Sequence, residues 1–286
     1  MNQTEFEGLK AQMGTIITDP FLKQLLTAAF ANLYESDNVL RLNNFAYVIR
    51  QIFMDQLKNL APDDKVKGCS WYVPKPKGDY PTVVAQIKYA VHGGIPEKYV
   101  ADTLKVDTKE LCDNIKARID KLNKLTHINP KSFGISGAKV VSDVKEIAET
   151  FIALNEAIRD TREEIYDEIV DILFEAAIDS LTSSTRQELD CLATHYFIED
   201  CSIDEIKILS IDNETMLGKL SGSTEVKLQY GSASDMREDN GAVINESFPF
   251  YGDFSAPVSD ILKVELDDDT FEVYTDEFYD DIKFQE

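Results

Sequence analysis

The sequence predicts an α+β fold, in which an N-terminal all-α domain precedes a smaller antiparallel β-rich domain. Through the first two thirds of the chain, apolar residues recur at three- and four-residue steps, which is the spacing of amphipathic helices. From about Ser202 they alternate with polar residues, which is typical of strands with one buried face. We therefore expect a helical domain at residues 1–190, a β domain at 200–275 and an acidic tail at 276–286.

Length and composition indicate a globular, cytoplasmic protein. The 286 residues are 43% hydrophobic, which is enough apolar surface to build a core. No apolar run reaches the roughly 18 residues of a membrane span, and the first residues lack the basic-then-apolar pattern of a signal peptide. Because the cytoplasm keeps thiols reduced, we expect the four widely spaced cysteines to be buried and unpaired: Cys69, Cys112, Cys191 and Cys201.

The N-terminal residues 4–60 predict a helical hairpin, since two apolar runs with helical spacing are separated by Ser36-Asp37. The following loop, residues 68–81, contains three prolines and therefore cannot form a regular helix. This loop carries Trp71, the only tryptophan of the chain, which we expect to pack back onto the helices.

Residues 83–126 predict three helices, the last of which begins after Asp107. Asp107 with Glu110 three positions later resembles a capping box at the start of that helix. Short helices joined by a turn are also the arrangement of a helix-turn-helix, in which Lys109, Lys116 and Arg118 would face a DNA groove. A DNA-binding regulator is therefore one alternative function.

A long amphipathic helix is predicted over residues 142–181, because this stretch has no proline or glycine. It would be about 60 Å long, and its narrow apolar stripe, interrupted at Asn155 and Arg162, leads us to expect a homodimer. Its crowded carboxylates lie on the solvent side of one helix, whereas a metal site needs ligands from separate helices. The histidines form no HExxH or HxH pattern either, so we expect neither a metal nor another cofactor.

The C-terminal part predicts an antiparallel sheet with a turn at Ser221-Gly222-Ser223. A long polar connection follows at residues 231–245, and further strands are expected at 246–255 and 259–274. The last of these is expected to form an edge hairpin before the solvated acidic tail.

Charge is distributed unevenly along the chain, whose formal net charge is −23. Residues 58–145 carry 16 basic and 10 acidic side chains, whereas residues 146–200 carry 3 and 15 and residues 201–286 carry 6 and 21. A polyanion such as RNA or DNA would be attracted to the first of these segments and repelled by the other two. The alternative is that this basic surface pairs with the acidic helix after it.

The sequence lacks the usual motifs of nucleotide hydrolases, dinucleotide-binding enzymes and GxSxG hydrolases. Cleavage of a phosphodiester without a metal requires an acid–base group and a cation that stabilises the phosphorane. We expect His127 to move the proton and Arg41 to bind the phosphate, with Asn43 and Asn44 positioning Arg41. Basic side chains of residues 58–145 would attract the substrate.

Five short segments of the chain carry a resemblance to a known family. They are Arg41–Phe45, Cys69–Tyr72, Leu125–Pro130, Ala193–His195 and the stretch from Leu228 to Phe250. Together they resemble the predicted PIWI-associating nucleases of bacterial conflict and phage-defence loci, over roughly residues 20–260. The resemblance implies a bacterial antiviral protein that acts on RNA or DNA with a partner protein of a defence system.

The resemblance implies two places for the functional residues. In the helical part, Arg41, Asn44 and His127 would form the catalytic group and Trp71 would bind the substrate. Lys116 and Arg118, from the basic residues 58–145, are expected to bind the substrate as well. The second place is the loop at residues 232–240, where Asp235 and Arg237 would either form a site or clamp each other in a structural role.

The helical part is also expected to resemble the arrangement of the HEPN (higher-eukaryote- and prokaryote-nucleotide-binding) ribonucleases. Those enzymes use an arginine and a histidine a few residues apart on one helix, whereas the nearest arginine before His127 is Arg118, nine residues away. A non-catalytic sensor or scaffold subunit of a defence complex is therefore a second alternative to the nuclease.

Overall fold

The fold is seen in a computed structural model, which describes residues 3–75, 80–128, 133–135, 138–183, 187–276 and 278. Two compact units divide the chain: the first comprises Met1–Gly93 and Glu97–Ile165, and the second comprises Gly94–Pro96 and Tyr166–Glu286. A helical region is followed by an antiparallel β-sheet, which confirms the predicted fold class.

The helices and strands are numbered in chain order. The helices are α1 (Gln3–Ile16), α2 (Pro20–Leu33), α3 (Arg41–Leu60), α4 (Asp63–Gly68), α5 (Val83–His92), α6 (Glu97–Asp102), α7 (Thr108–Thr126), α8 (Ala138–Ser183), α9 (Gln187–Asp190) and α10 (Ala233–Arg237). The strands are β1 (His195–Ile211), β2 (Thr215–Tyr230), β3 (Ala242–Pro257), β4 (Glu265–Leu266) and β5 (Glu272–Val273).

The predicted N-terminal hairpin is in fact three helices, because a new helix starts at Asp19-Pro20. The Asp19 carboxylate accepts a hydrogen bond from the Leu22 backbone N–H at 2.9 Å, and Pro20 occupies the first helical position, where no backbone donor is needed. The second break, at Ser36-Asp37, lies between α2 and α3 as predicted. The predicted cap of α7 is also confirmed, since Asp107 accepts bonds from two backbone N–H groups of its first turn.

Aromatic packing holds the beginning of α3 in the first unit. Phe45 of α3 packs edge to face on Phe30 of α2 with ring centres 5.1 Å apart, and Phe6 of α1 contacts Phe30 in the same way at 6.4 Å. All three rings are buried. Such pairs contribute about 0.5–1.5 kcal/mol each beyond the burial of their area, so the start of α3 is a rigid element.

The long helix α8 extends beyond its predicted limits at both ends. One of the two polar residues that interrupt its apolar stripe, Asn155, donates its side-chain amide to the Phe151 carbonyl one turn earlier, at 2.9 Å. This bond explains how an amide is accommodated beside the buried Phe151 and Ile158 without a partner from another helix.

The predicted turn at Ser221-Gly222-Ser223 is wrong, because β2 runs straight through it. The sheet order is β1-β2-β3-β4, with β5 also paired to β3, and all pairs are antiparallel. The turn between β1 and β2 is instead at Asp212, whose carboxylate accepts bonds from the Glu214 and Thr215 backbone N–H groups at 2.8 Å. An aspartate that binds the backbone two and three residues later is a turn former in its own right.

Gly222 has a packing role rather than a turn role. It lies opposite Phe250 in the β2–β3 register, and a Cβ at this position would overlap both the Ser202 carbonyl oxygen and the Phe250 ring. Gly218 is paired with Phe254 in the same way. The two glycines therefore leave space for aromatic rings from the next strand.

The later strand predictions are partly right. The expected strand at 246–255 lies within β3, but the one at 259–274 is wrong and is reduced to the two-residue β4 and β5. Between them the Asp267 carbonyl accepts bonds from Thr270 and Phe271, which forms a turn in place of a strand. Apart from residues 276 and 278, the predicted acidic tail lies outside the described residues.

Three of the four cysteines are buried as predicted, but Cys191 is exposed because it follows α9 in a surface turn. Burial raises the pKa of the Cys112 thiol to about 11. Since the thiolate is the reactive form, we expect one rapidly reacting thiol when the folded protein is treated with a chromogenic disulfide reagent at about pH 8. Cys191→Ser should remove the fast phase, and a fast phase that survives this substitution would contradict the assignment.

We predict that Gly222→Ala lowers the free energy of unfolding by about 1–3 kcal/mol, because the added methyl group is forced against backbone and an aromatic ring. Urea denaturation followed by circular dichroism measures the change. The matched control is Gly8→Ala in α1, where a Cβ meets nothing within 4 Å, and where we expect a gain of about 0.5–1 kcal/mol from helix propensity. Equal effects of the two substitutions would refute the packing role of Gly222.

Candidate functional site

Two side chains of α3 bind the last turns of α7. The Asn43 amide nitrogen Nδ2 donates to the Leu125 carbonyl at 3.0 Å. About two turns further along α3, the Arg50 Nε donates to the Asn123 side-chain oxygen Oδ1. From the first bond to the second, the residue number increases on α3 and decreases on α7, so the two helices run antiparallel here. We call this region the α3–α7 junction.

Arg50 is the cation of the α3–α7 junction, and the sequence analysis missed it. Its guanidinium is half-buried and has no carboxylate partner within the part of the chain that the structure describes. Its acceptor Asn123 precedes His127 by four residues, and side chains at this spacing lie about 5–6 Å apart at Cβ on one helix face. The seven-residue spacing from Asn43 to Arg50 is about two helical turns, so both residues lie on one face of the helix. This spacing is the sequence signal that could have identified Arg50.

Arg41, the predicted phosphate partner, occupies a different position. It is the first residue of α3, its side chain is 7% exposed, and it makes no side-chain hydrogen bond or ion pair to the described residues. It is two residues before Asn43 and therefore points about 160° away from it around the helix axis. The contact with α7 is made by Asn43 and Arg50 instead, while Asn44 is exposed in the first turn.

His127 ends α7 and is exposed. Its backbone is extended, with φ −82° and ψ 120°, so the helix stops at this residue. Lys116 precedes it by eleven residues and lies on the same face of α7, which Asp120 also shares. Arg118 precedes it by nine residues and points about 180° away. Of the two predicted cations, only Lys116 therefore shares a face with the histidine.

Trp71 has structural partners at α5. Its indole N–H donates to the Gly93 carbonyl at 3.0 Å, and its ring packs edge to face on the buried His92 with centres 5.4 Å apart. Its other ring contacts belong to a small cluster that includes Val66 and Tyr89. The indole also borders a cleft of about 250 Å³ whose walls include Lys75. These contacts do not link Trp71 to the α3–α7 junction.

The second predicted site, at residues 232–240, is a short capped helix. The Asp235 carboxylate accepts bonds from the Ser232 hydroxyl and backbone N–H at 2.7 Å, and these bonds lower the pKa of that carboxyl. Arg237 donates through Nε to the Ala233 carbonyl at 3.0 Å. The predicted clamp between Asp235 and Arg237 is therefore wrong, since the capping box with Ser232 holds Asp235 and the Ala233 carbonyl holds Arg237.

Across the described ranges, no group of three or more His, Cys, Asp or Glu side chains is arranged to hold a metal ion. In the same ranges, no helix has the length and apolar character needed to cross a membrane.

Comparison with known proteins assigns a family. Two family descriptions, both reading predicted pPIWI-associating nuclease, match the chain, one over residues 14–151 and the other over residues 158–279. The chain belongs to the predicted pPIWI-associating nucleases. Neither a curated protein nor a solved structure gives a significant match. In this nuclease family member, the α3–α7 junction lies in the first matched region, and the capped helix α10 lies in the second.

We predict that Asn43→Ala weakens the α3–α7 junction of this nuclease family member. The loss of a buried hydrogen bond costs about 1–3 kcal/mol, and removal of Asn43 Oδ1, which is buried without a partner among the described residues, offsets part of that cost. We therefore expect a loss of about 1 kcal/mol in urea denaturation. Asn44→Ala, at the exposed neighbouring position, should stay within about 0.5 kcal/mol of wild type; a loss as large as that of Asn43→Ala would contradict the assignment.

Proposed function

We propose that this protein is a metal-independent ribonuclease whose active site is the α3–α7 junction. His127 is the acid–base group and Arg50 binds the phosphate. The observation that carries the proposal is the bond from Arg50 to Asn123. It holds a guanidinium, which has no carboxylate partner among the described residues, one helical turn from an exposed histidine. The family description supports a nuclease in general terms.

The proposed reaction uses the 2′-hydroxyl of RNA as the nucleophile. The imidazole of His127 takes the proton of this hydroxyl while its oxygen attacks phosphorus, the bond from phosphorus to the 5′-oxygen breaks, and water protonates the departing oxygen. The products are a 2′,3′-cyclic phosphate and a 5′-hydroxyl end. Arg50 can direct its remaining N–H donors at the non-bridging oxygens, whose negative charge increases in the phosphorane.

The other predicted site residues have distinct parts in this proposal. Lys116 lies on the face of His127 and would guide the RNA backbone towards it, whereas Arg118 and Trp71 would contact the substrate only beyond the junction. Asn44 is available at the exposed start of α3. Arg41 remains the alternative phosphate partner, because this largely buried residue makes no side-chain hydrogen bond or ion pair to the described residues, and a phosphate that reaches its guanidinium would stabilise the charge.

The biological setting belongs to the same proposal. The family description names association with pPIWI, which supports a partner protein, and the resemblance supports a role in bacterial antiviral defence. We place this activity in the cytoplasm and expect a homodimer with a HEPN-like helical part.

The proposal is tested with purified protein and 5′-labelled single-stranded RNA in the presence of EDTA. We expect cleavage products with cyclic phosphate ends, and no cleavage of the same sequence made as DNA. His127→Ala should lower the cleavage rate by about 100-fold or more, and Arg50→Met by a similar factor of about 100. If Arg50 binds the phosphate, Arg41→Met should leave the cleavage rate close to wild type. If Arg41 binds the phosphate instead, Arg41→Met should be the inactive variant and Arg50→Met should remain active.

Two matched variants control for contamination and misfolding. His195→Ala removes another exposed histidine, and Arg159→Met removes an exposed arginine of α8 that pairs with Asp160; both should cleave at the wild-type rate. Activity that is absent, or that persists unchanged in both His127→Ala and Arg50→Met, would overturn the enzymatic proposal and favour the non-catalytic scaffold. A site-specific duplex complex without cleavage would favour the DNA-binding regulator.

A further inference from the structure

We infer that exposed apolar side chains around the α3–α7 junction form a stacking surface for the unpaired bases of a single-stranded nucleic acid. This inference rests on the proposed function and names the substrate class of the same site. The side chains, which we call the stacking surface, are Val39, Tyr47, Ile128 and Phe133, each of them more than half exposed.

Tyr47 is placed by the bonds of its neighbours on α3. It follows Asn43 by four residues and precedes Arg50 by three, so the three side chains lie on one face of the helix. Both neighbours bind α7, yet the Tyr47 ring is 56% exposed. Its ring therefore lies at the open margin of the α3–α7 junction, next to the proposed phosphate-binding guanidinium.

Phe133 is placed near the start of α3 by a backbone bond. The Gly134 N–H donates to the Val39 carbonyl at 3.3 Å, so the segment that carries Phe133 lies beside Val39, two residues before α3 begins. The Phe133 ring is 54% exposed. Ile128 directly follows His127 and is exposed as well, so apolar groups flank the histidine and the beginning of α3.

The chemistry of this surface fits unpaired bases better than a protein partner. Aromatic rings offer a face on which any base can stack, and proteins that bind single strands combine such rings with cations that follow the backbone. Here the rings accompany Arg50 on α3 and Lys116 on α7, and Lys116 and Phe133 belong to residues 58–145, which have an excess of basic side chains. A base-paired duplex hides the base faces, so stacking distinguishes the two forms of nucleic acid.

The positions of Phe133 and Tyr47 along α3 also favour a strand whose bases are separated. Phe133 lies beside the start of α3, and from Arg41 to Tyr47 the helix rises by about 9 Å, whereas stacked bases of one strand are about 3.4 Å apart. In the inferred complex, bases on Phe133 and on Tyr47 would therefore not stack on each other. Such a splayed backbone would leave the intervening phosphate open to Arg50 and His127.

The experiment measures binding without cleavage, by fluorescence anisotropy of a labelled 2′-O-methyl RNA of about 12 nucleotides. The same oligonucleotide is presented as a single strand and as a duplex. We expect Tyr47→Leu and Phe133→Leu, which keep apolar bulk but remove the ring, each to weaken single-strand binding by about fivefold or more and to leave duplex binding unchanged. Phe21→Leu is the matched control, because that ring is 61% exposed on α2 and should not affect affinity.

Several results would overturn the stacking surface. The first is an unchanged single-strand affinity in both ring variants, and the second is an equal loss of affinity for the single strand and the duplex. The third is a loss of single-strand affinity in Phe21→Leu as large as that in the ring variants. Failure of the proposed function gives a different pattern, in which wild-type protein binds the single strand and the two variants weaken that binding, but RNA with free 2′-hydroxyls is not cleaved. Cleavage that requires His127 while both ring variants bind normally would remove only the stacking surface.

Discussion

The contact between Asn43 and the end of α7 is the constraint on which the α3–α7 junction depends. The last four carbonyl groups of a helix have no partner within it, and Leu125 is among them in α7. The Asn43 amide satisfies this carbonyl from another helix, which sets how far α7 extends along α3. With this register, Arg50 reaches Asn123, Tyr47 lies at the margin of the α3–α7 junction, and the exposed His127 ends α7. One polar bond and the packing of Phe45 on Phe30 therefore determine where the candidate catalytic groups lie.

In the second unit, the equivalent constraint is the fit between glycines and aromatic rings on adjacent strands. Gly218 and Gly222 of β2 lie opposite Phe254 and Phe250 of β3, and their missing side chains are what allow the rings to lie flat on the sheet. In the sequence, Gly222 between two serines is typical of a turn, because a glycine that leaves space for a ring can have the same neighbours as a glycine in a turn. Only the partner strand distinguishes them, and cross-strand register cannot be read from one strand.

The same reasoning explains which parts of the candidate site could be predicted. Helical periodicity and the Asp107 cap predicted α7 and placed His127 near its end, because both depend on residues close in sequence. The cation that we propose to act with His127 is placed by a bond between residues 73 positions apart. The choice of Arg41 from its neighbouring asparagines did not consider which face of the helix each side chain occupies. Counting two turns from Asn43 leads to Arg50, but only the observed bond to Asn123 shows which face of α3 meets α7. Asp19-Pro20, in contrast, is a sequence typical of a helix start. The helical spacing of the apolar residues on both sides of it favoured one uninterrupted helix instead.

The acidity of the chain strengthens the case for a localised nucleic-acid site. With 52 acidic and 29 basic residues, most of the surface repels a polyanion, so a strand is held only where cations are not neutralised by neighbouring carboxylates. Lys88, Lys121 and Lys219 are paired with carboxylates. Arg50 has an amide oxygen as its acceptor instead, which orients the guanidinium but leaves its charge intact. In the proposed function, repulsion elsewhere and a cation that has no carboxylate partner among the described residues would together restrict binding to the α3–α7 junction, where His127 would act on the phosphate.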